Sequence, residues 1–295
     1  NLNKENLWGP WRTFGKSHHF SHVSLRETLQ GGQSFDWKSL SDYHWRGKIG
    51  DVALECRWEK NLVQWRKVRI QKLKSLQVEK YFFLDQGYQN AIDELPWRSD
   101  PVLRKCISKL RGLRILRQPL DQTLFYFLLS SAKSIPQIQS IGDAVCKKYG
   151  KEIAPEIYSF PGWERLAQVS EAELRSLKLG YRAKYVAQTA RLIANQDNGL
   201  EGIGDLPYRD AKKELLRLPG VGEKIADCVL LFGGNFLEAF PMDTWIEKSL
   251  EKRYALKGWK SDNKIHFARI HFGKSAGLAQ QFLFSAERLG ILDKK

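Results

Sequence analysis

The sequence is poor in cysteine. It has four in 295 residues (Cys56, Cys106, Cys146 and Cys228), spaced too widely for a C-x-x-C pair or a metal-ligand cluster. That spacing speaks against a disulfide scaffold and for a reduced, intracellular protein rather than a secreted one. No apolar run reaches membrane-spanning length, and the opening "NLNKENLWGPW" lacks a secretory signal core. Internal repeats, low-complexity tails and heptad seams are also missing, so a monomer is expected and no membrane role follows from the hydropathy. Acidic residues are scarce relative to basic ones: 33 Asp and Glu against 48 Lys and Arg leave a net charge of +15. Such an excess suits a polyanionic partner, with an anionic membrane surface as the other charge-based reading.

What is present is enough apolar material for a core, 42% hydrophobic and 12% aromatic, which argues against disorder. The length suggests about two domains. In the first 75 or so residues "DVALECRW" alternates, placing Val52, Leu54, Cys56 and Trp58 on one strand face. Gly50-Asp51 makes a turn back to "YHWRGKI", and "HVSLRETL", "QSFDWK" and "LVQWRKVRI" read as further strands. From "YFFLDQGYQNAIDELPW" (Tyr81 to Trp97) onward the pattern turns helical. "DQTLFYFLLSSA" reads as a buried central helix. "PQIQSIGDAVCKKYG" starts at a proline and stops at a glycine, with Ile138, Ile141 and Val145 on one face. "VSEAELRSLKLG" carries a capping box, Ser170 with Glu173. "YRAKYVAQTARLIANQ" and "AGLAQQFLFSAERLG" complete the helical set.

The most informative stretch is "LPGVGEKIADC", Leu218 to Cys228. The amphipathic "AKKELLRL" and the helical "EKIADCVLLF" are joined only by "PGVG", which makes a helix-hairpin-helix. Gly220 and Gly222 permit positive φ and let a phosphate or another backbone approach closely. The second helix points unpaired N–H groups and its positive dipole end at that place, a phosphate nest that specifies no sequence. An ordinary αα-turn remains the alternative. Lys224 lies just inside the second helix, where the dipole and desolvation both favour a neutral, nucleophilic amine over an ammonium. Cys228 follows one turn later on the same face. Taken alone, Lys224 also reads as a solvated phosphate contact and Cys228 as a small core residue. Nineteen residues after Lys224 comes "AFPMDTWIEK", in which Asp243 is a natural N-cap. The lysine and this Pro-x-Asp loop together are far more specific than either half.

With these motifs the chain resembles the helix-hairpin-helix DNA glycosylases with a Gly/Pro-rich loop and an aspartate, and within them the 8-oxoguanine DNA glycosylases. The resemblance runs from "LQGGQSFDW" through "RGLRILRQPLDQTLFYFLLSS", "LGYRAKYV" and the hairpin to "LAQQFLFSAERL". It implies an α+β fold: a small N-terminal antiparallel β-sheet domain (TATA-binding-protein-like, residues 1–80), then a helical domain (81–295) carrying the hairpin Leu216–Gly222. It further implies a base-excision-repair enzyme that removes 8-oxoguanine from double-stranded DNA by base flipping, with associated β-elimination lyase activity. Lys224 would be the nucleophile, and Asp243 would activate it and stabilise the cationic sugar.

By the same resemblance Gly32, Cys228, Gln280, Phe284 and Pro241 would form the base pocket. Gly32 would offer its carbonyl to the N7 hydrogen and Gln280 its amide to the Watson–Crick edge, with Phe284 and Cys228 sandwiching the ring. The i, i+4 spacing of Gln280 and Phe284 puts both on one helix face. Tyr181 would fill the vacated stack and Arg182 read the orphaned cytosine, the two forming an exposed pair after Gly180. Lys133, Gln137, Gly220, Val221, Gly222 and Trp245 would touch DNA. The carbonyls of Leu216, Leu218 and Val221 would hold a monovalent cation, K+ or Na+; no other cofactor and no iron–sulfur cluster is implied.

Three positions depart from the family pattern. Ala132 stands in place of an asparagine and Gln137 in place of an arginine, both facing the estranged cytosine, and Trp245 in place of a phosphate-holding histidine. Losing the first two contacts implies a relaxed preference for cytosine opposite the lesion. Two readings compete. A related glycosylase for other damaged bases would be of the endonuclease III type, with four C-terminal cysteines absent here, or of the alkylbase type, which generally lacks the hairpin lysine. A non-catalytic DNA-binding protein would need neither Lys224 nor Asp243.

Overall fold

Three short hairpins, consecutive along the chain, build most of the sheet. The computed structural model describes residues 7–15, 20–196 and 199–293. Strands β1 (Arg12–Thr13), β2 (Lys38–Ser41), β3 (His44–Ile49), β4 (Val52–Glu59) and β5 (Leu62–Lys67) form an antiparallel sheet in the order β1-β5-β4-β3-β2. Ile49 pairs with Val52 and Glu59 with Leu62, so each of these two hairpin loops has two residues. Lys60 and Asn61 take φ 52° and 61°, the left-handed pair such a loop needs. Leu54 and Cys56 face a tryptophan-rich core with Trp37, Trp45 and Trp65. The opposite face of β4 is also covered, because Glu55 is fully buried between Arg46 and Arg66, at 2.6 Å from each. Burial alone would raise this carboxyl; the basic groups of His44, Arg46 and Arg66 outweigh it and hold it at about 2.

Two expected strands are not strands. "HVSLRETL" lies in the helix His22–Gln30, which Ser21 and Ser24 cap reciprocally. Its buried Leu25, Thr28 and Leu29 fall at i, i+3 and i+4, a helical period that the β-branched residues masked. "QSFDWK" runs as a loop, and only Lys38 joins β2. The loop is held by side chains instead of a ladder. Gln33, 1% exposed, donates to the Arg114 carbonyl at 2.8 Å and accepts from the Leu116 N–H at 2.7 Å. The Trp37 ring lies where a Cβ on Gly47 would sit 2.6 Å away, so only glycine lets the ring reach the sheet.

The helical elements follow the sequence pattern more closely. Leu120–Leu129 is buried along nearly its whole length, and Ile135–Tyr149 turns Ile138, Ile141 and Val145 inward. The Ser170–Glu173 capping box is present, yet its helix covers only Glu171–Leu174. The chain then loosens and leaves helical geometry at Leu177 and Lys178 before Gly180. The two cores interleave across residue 80: Tyr81, Phe82, Leu84 and Leu116 pack with the sheet, while Phe35 packs with the helices. A buried polar knot joins them. Lys48, 6% exposed, lies 3.2 Å from Asp36 and donates to the Tyr158 carbonyl, and Tyr126 donates to Asp36 at 3.0 Å. Paired in this way the buried charges are tolerable, and the knot fixes the loop that carries Gly32. Among the described residues no helix is long and apolar enough to cross a membrane.

Candidate active site

The hairpin forms as the sequence expects. Helices Tyr208–Leu216 and Glu223–Phe232 flank Leu218–Gly222. Its two glycines differ in their work. Gly220 has φ 81° and meets the Tyr185 ring, which a Cβ would approach to 2.6 Å. Gly222 does not use positive φ, contrary to expectation. It is the N-cap at φ −100° and ψ 180°, and a Cβ there would meet nothing within 4 Å. What Gly222 contributes is open space over the first N–H groups of the helix.

A cavity of about 280 Å³ opens beside this helix start. Lys224 and Cys228 line it from the hairpin helix, Pro241 and Asp243 from the following loop, Gly32 from the pinned loop, and Gln280 and Phe284 from the terminal helix Ala276–Arg288. Seven residues drawn from four separate stretches thus meet in one place. Lys224 sits half-buried with Nζ 5.8 Å from the centre of the Phe127 ring. Asp243 caps helix Thr244–Arg253, accepting from the Ile246 N–H at 2.9 Å. Burial pushes its carboxyl above the usual range, opposed by the Ile246 N–H and by the charge of Lys224. The Cys228 thiol is pushed up to about 12 by burial, so it stays a neutral thiol and acts as a surface, not a nucleophile.

Gly32 has φ 97°, and a Cβ on it would stand 3.0 Å from Ile135 and 3.9 Å from Phe284. Glycine is therefore demanded by the backbone as well as by the closeness of the Ile135 side chain. Gln280 is buried. Its Nε2 donates to the Pro241 carbonyl at 3.1 Å, and its Oε1 has no partner among the described residues.

The residues expected at the DNA face divide into two that line the cavity and others that do not. Tyr181 is half-exposed and Trp245 likewise, and both Trp245 and Lys133 line the cavity. Arg182 is not the exposed partner of Tyr181 that the sequence suggests. It is 4% exposed, stacks on the Tyr181 ring at 4.3 Å and donates to the carbonyls of Ser131 and Leu179. In this conformation it braces the turn Ser130–Lys133 from behind. Gln137 is exposed and accepts from the Ser134 N–H, closing a capping box. Ala132 takes φ 50°, a left-handed conformation costly for alanine and well suited to asparagine. Val221 N donates to the Leu218 carbonyl at 3.1 Å, which leaves that oxygen one further lone pair. Leu216 is partly exposed at the end of its helix. Among the described residues no group of three or more His, Cys, Asp or Glu is placed to hold a metal ion.

The sequence reading missed Gln281 and Arg288, which line the same cavity, and the pair Lys212–Asp227 behind it. The i, i+3, i+7 spacing of Gln281, Phe284 and Arg288 was the available signal.

Comparison with known proteins agrees with this geometry. Residues 18–124 match the family model of the 8-oxoguanine DNA glycosylase N-terminal domain, and residues 127–270 match that of the HhH-GPD superfamily base excision DNA repair proteins. The chain is 31% identical over 317 residues to the N-glycosylase/DNA lyase of Saccharomyces cerevisiae, spanning 90% of this chain and 84% of that protein. It is 32% identical over 289 residues to that of Arabidopsis thaliana, spanning 90% and 78%. Among solved structures it resembles the Clostridium acetobutylicum 8-oxoguanine glycosylase/lyase in complex with dsDNA containing cytosine opposite to 8-oxoG. There the TM-score is 0.85 at 27% identity, over 97% of this chain and 99% of that one. A sheet domain, a hairpin lysine above a capping aspartate, and these matches over nearly the whole length place the chain in the 8-oxoguanine DNA glycosylase family of helix-hairpin-helix base-excision-repair proteins.

Proposed function

We propose that this chain excises 8-oxoguanine from double-stranded DNA and then cleaves the strand by β-elimination, with Lys224 as nucleophile and Asp243 as its electrostatic partner. The observation that carries the reading is the sharing of one cavity by Lys224, Asp243, Gly32, Cys228, Gln280 and Phe284. The amine nitrogen of Lys224 attacks the sugar carbon bearing the base. The glycosidic bond breaks, and its electron pair leaves with the base. Asp243, anchored by the Ile246 N–H, stabilises the positive charge that builds on the sugar. The adduct opens to an imine, whose acidified neighbouring C–H loses a proton as the 3′ phosphate departs.

In the pocket Gly32 accepts from the N7 hydrogen, Gln280 meets the Watson–Crick edge, Cys228 and Phe284 hold the two ring faces, and Pro241 anchors Gln280 through its carbonyl. Tyr181 fills the gap in the stack. Arg182, Lys133, Gln137, Gly220, Val221, Gly222 and Trp245 form the DNA contact surface, and the carbonyls of Leu216, Leu218 and Val221 take a monovalent cation. The same reading has the chain working as an intracellular monomer with no other cofactor, its sheet domain ending near residue 80. Borohydride reduction during reaction with an 8-oxoguanine duplex tests it. A covalent protein–DNA adduct is expected, and its absence on a duplex that the chain cleaves would remove the imine mechanism.

Opposite-base choice is a second test. Ala132 and Gln137 offer less to cytosine than asparagine and arginine would, so excision opposite the four bases should differ by less than about tenfold. Ala132→Asn suits the φ of 50° and should raise the preference for cytosine roughly tenfold by restoring a side-chain amide. A wild-type chain that acts only opposite cytosine would refute this.

A further inference from the structure

The cavity contains more unmatched polar chemistry than the proposed base contacts use. Gln280, Gln281, Phe284 and Arg288 all line it from one side of the terminal helix. Three of them carry a buried polar atom with no hydrogen-bond partner among the described residues: Gln280 Oε1, Gln281 Nε2 and Arg288 Nε. Buried polar atoms are nearly always matched, so three orphans in the wall of one cavity call for a ligand. Gln280 and Arg288 are already held, Gln280 through its bond to the Pro241 carbonyl and Arg288 through its ion pair with the buried Glu27. The Nε2 of Gln281, a residue 2% exposed, is buried without a partner among the described residues. A buried amide N–H without a partner destabilises the free protein, which makes sense if a bound molecule completes it.

We propose that Gln281 is a second base-reading residue, whose amide N–H donates to a carbonyl oxygen of the extruded lesion. This inference rests on the proposed glycosylase function. The polarity is complementary. Gly32 and the Gln280 Oε1 supply acceptors, and 8-oxoguanine meets them with its N7–H and N1–H donors. The base's own acceptors, O6 and O8, then need a donor, and Gln281 Nε2 is an unengaged one. Arg288 and Glu27 keep that wall of the helix fixed against the helix His22–Gln30, which leads into Gly32.

The test uses single-turnover excision and duplex binding, with wild type, Gln281→Leu and Gln281→Glu. Both variants remove the donor, and the second keeps the side-chain length and an acceptor. Each is expected to excise 8-oxoguanine about tenfold more slowly than wild type, while binding a duplex with a base-free tetrahydrofuran site within twofold of wild type. Discrimination between 8-oxoguanine and guanine should narrow in both. Wild-type excision rates in either variant would overturn the inference. So would equal loss of binding to the base-free duplex, which marks a structural role. If wild type itself excises no 8-oxoguanine, the proposed function falls instead, and that outcome is read from wild type alone.

Discussion

Lys224→Gln is expected to abolish borohydride trapping on an 8-oxoguanine duplex and to slow excision by a factor of roughly 10⁴ or more, the scale seen when a nucleophile is removed. Duplex binding should persist. Lys224 does little else in the fold. It is half-buried at the start of its helix, forms no salt bridge among the described residues, and has its Nζ 5.8 Å from the centre of the Phe127 ring. Glutamine keeps most of the side-chain stem and the helix, so the hairpin turn is left in place. A non-catalytic phosphate clamp predicts the reverse pattern: weaker binding and no chemistry to lose. Trapping that survives in Lys224→Gln would move the nucleophile elsewhere. The nearest alternative is poor, since burial keeps the Cys228 thiol protonated.

The gathering of these side chains in one cavity was legible because its signals are local. Lys224 and Cys228 share a face by helical spacing alone, Asp243 sits in a capping position, and Gly220 lies in a turn too short to close otherwise. Features that depend on distant parts of the chain were not legible. "HVSLRETL" alternates well enough to pass for a strand, and only the packing of Leu25, Thr28 and Leu29 selects the helix. The loop after Gly32 is held by Gln33 reaching the backbone at Arg114 and Leu116, more than 80 residues away, and no periodicity encodes such a bond. Arg182 follows an exposed tyrosine in sequence, yet a carbonyl at Ser131 draws it inside. Gln281 was passed over because its neighbour Gln280 matched a motif and it did not. The cavity shows that the helix contributes a broader face than the two residues read from spacing.

Lys212→Met carries the largest expected effect on stability. Lys212 lies on the first hairpin helix, with Nζ 3.0 Å from both oxygens of Asp227 and 2.7 Å from Glu223. Asp227 is 1% exposed on the second hairpin helix, one residue before Cys228. Burial raises its carboxyl, and the Lys212 charge and the Tyr208 hydroxyl, at 2.6 Å, work against that rise. Methionine preserves the bulk of the lysine stem but strands the carboxylate, a loss of about 3–5 kcal/mol. For a chain of this size that is a fall in Tm of roughly 10 °C. The pH dependence has a definite sign. Without the ammonium the folded-state pKa of Asp227 rises further above its unfolded value, so the folded variant binds a proton that the unfolded chain releases. Stability then declines as pH rises through that window, and the deficit against wild type should shrink as pH is lowered. Adding Asp227→Asn to Lys212→Met removes the stranded charge and should recover much of the loss, giving a coupling that a double-mutant cycle reads directly. A Tm within about 2 °C of wild type, or additive single and double variants, would mean the pair does not hold the hairpin together. Because Asp227 lies between Lys224 and Cys228 on one helix, that outcome would also leave the placement of Lys224 to the apolar packing of Ile225, Ala226 and Val229.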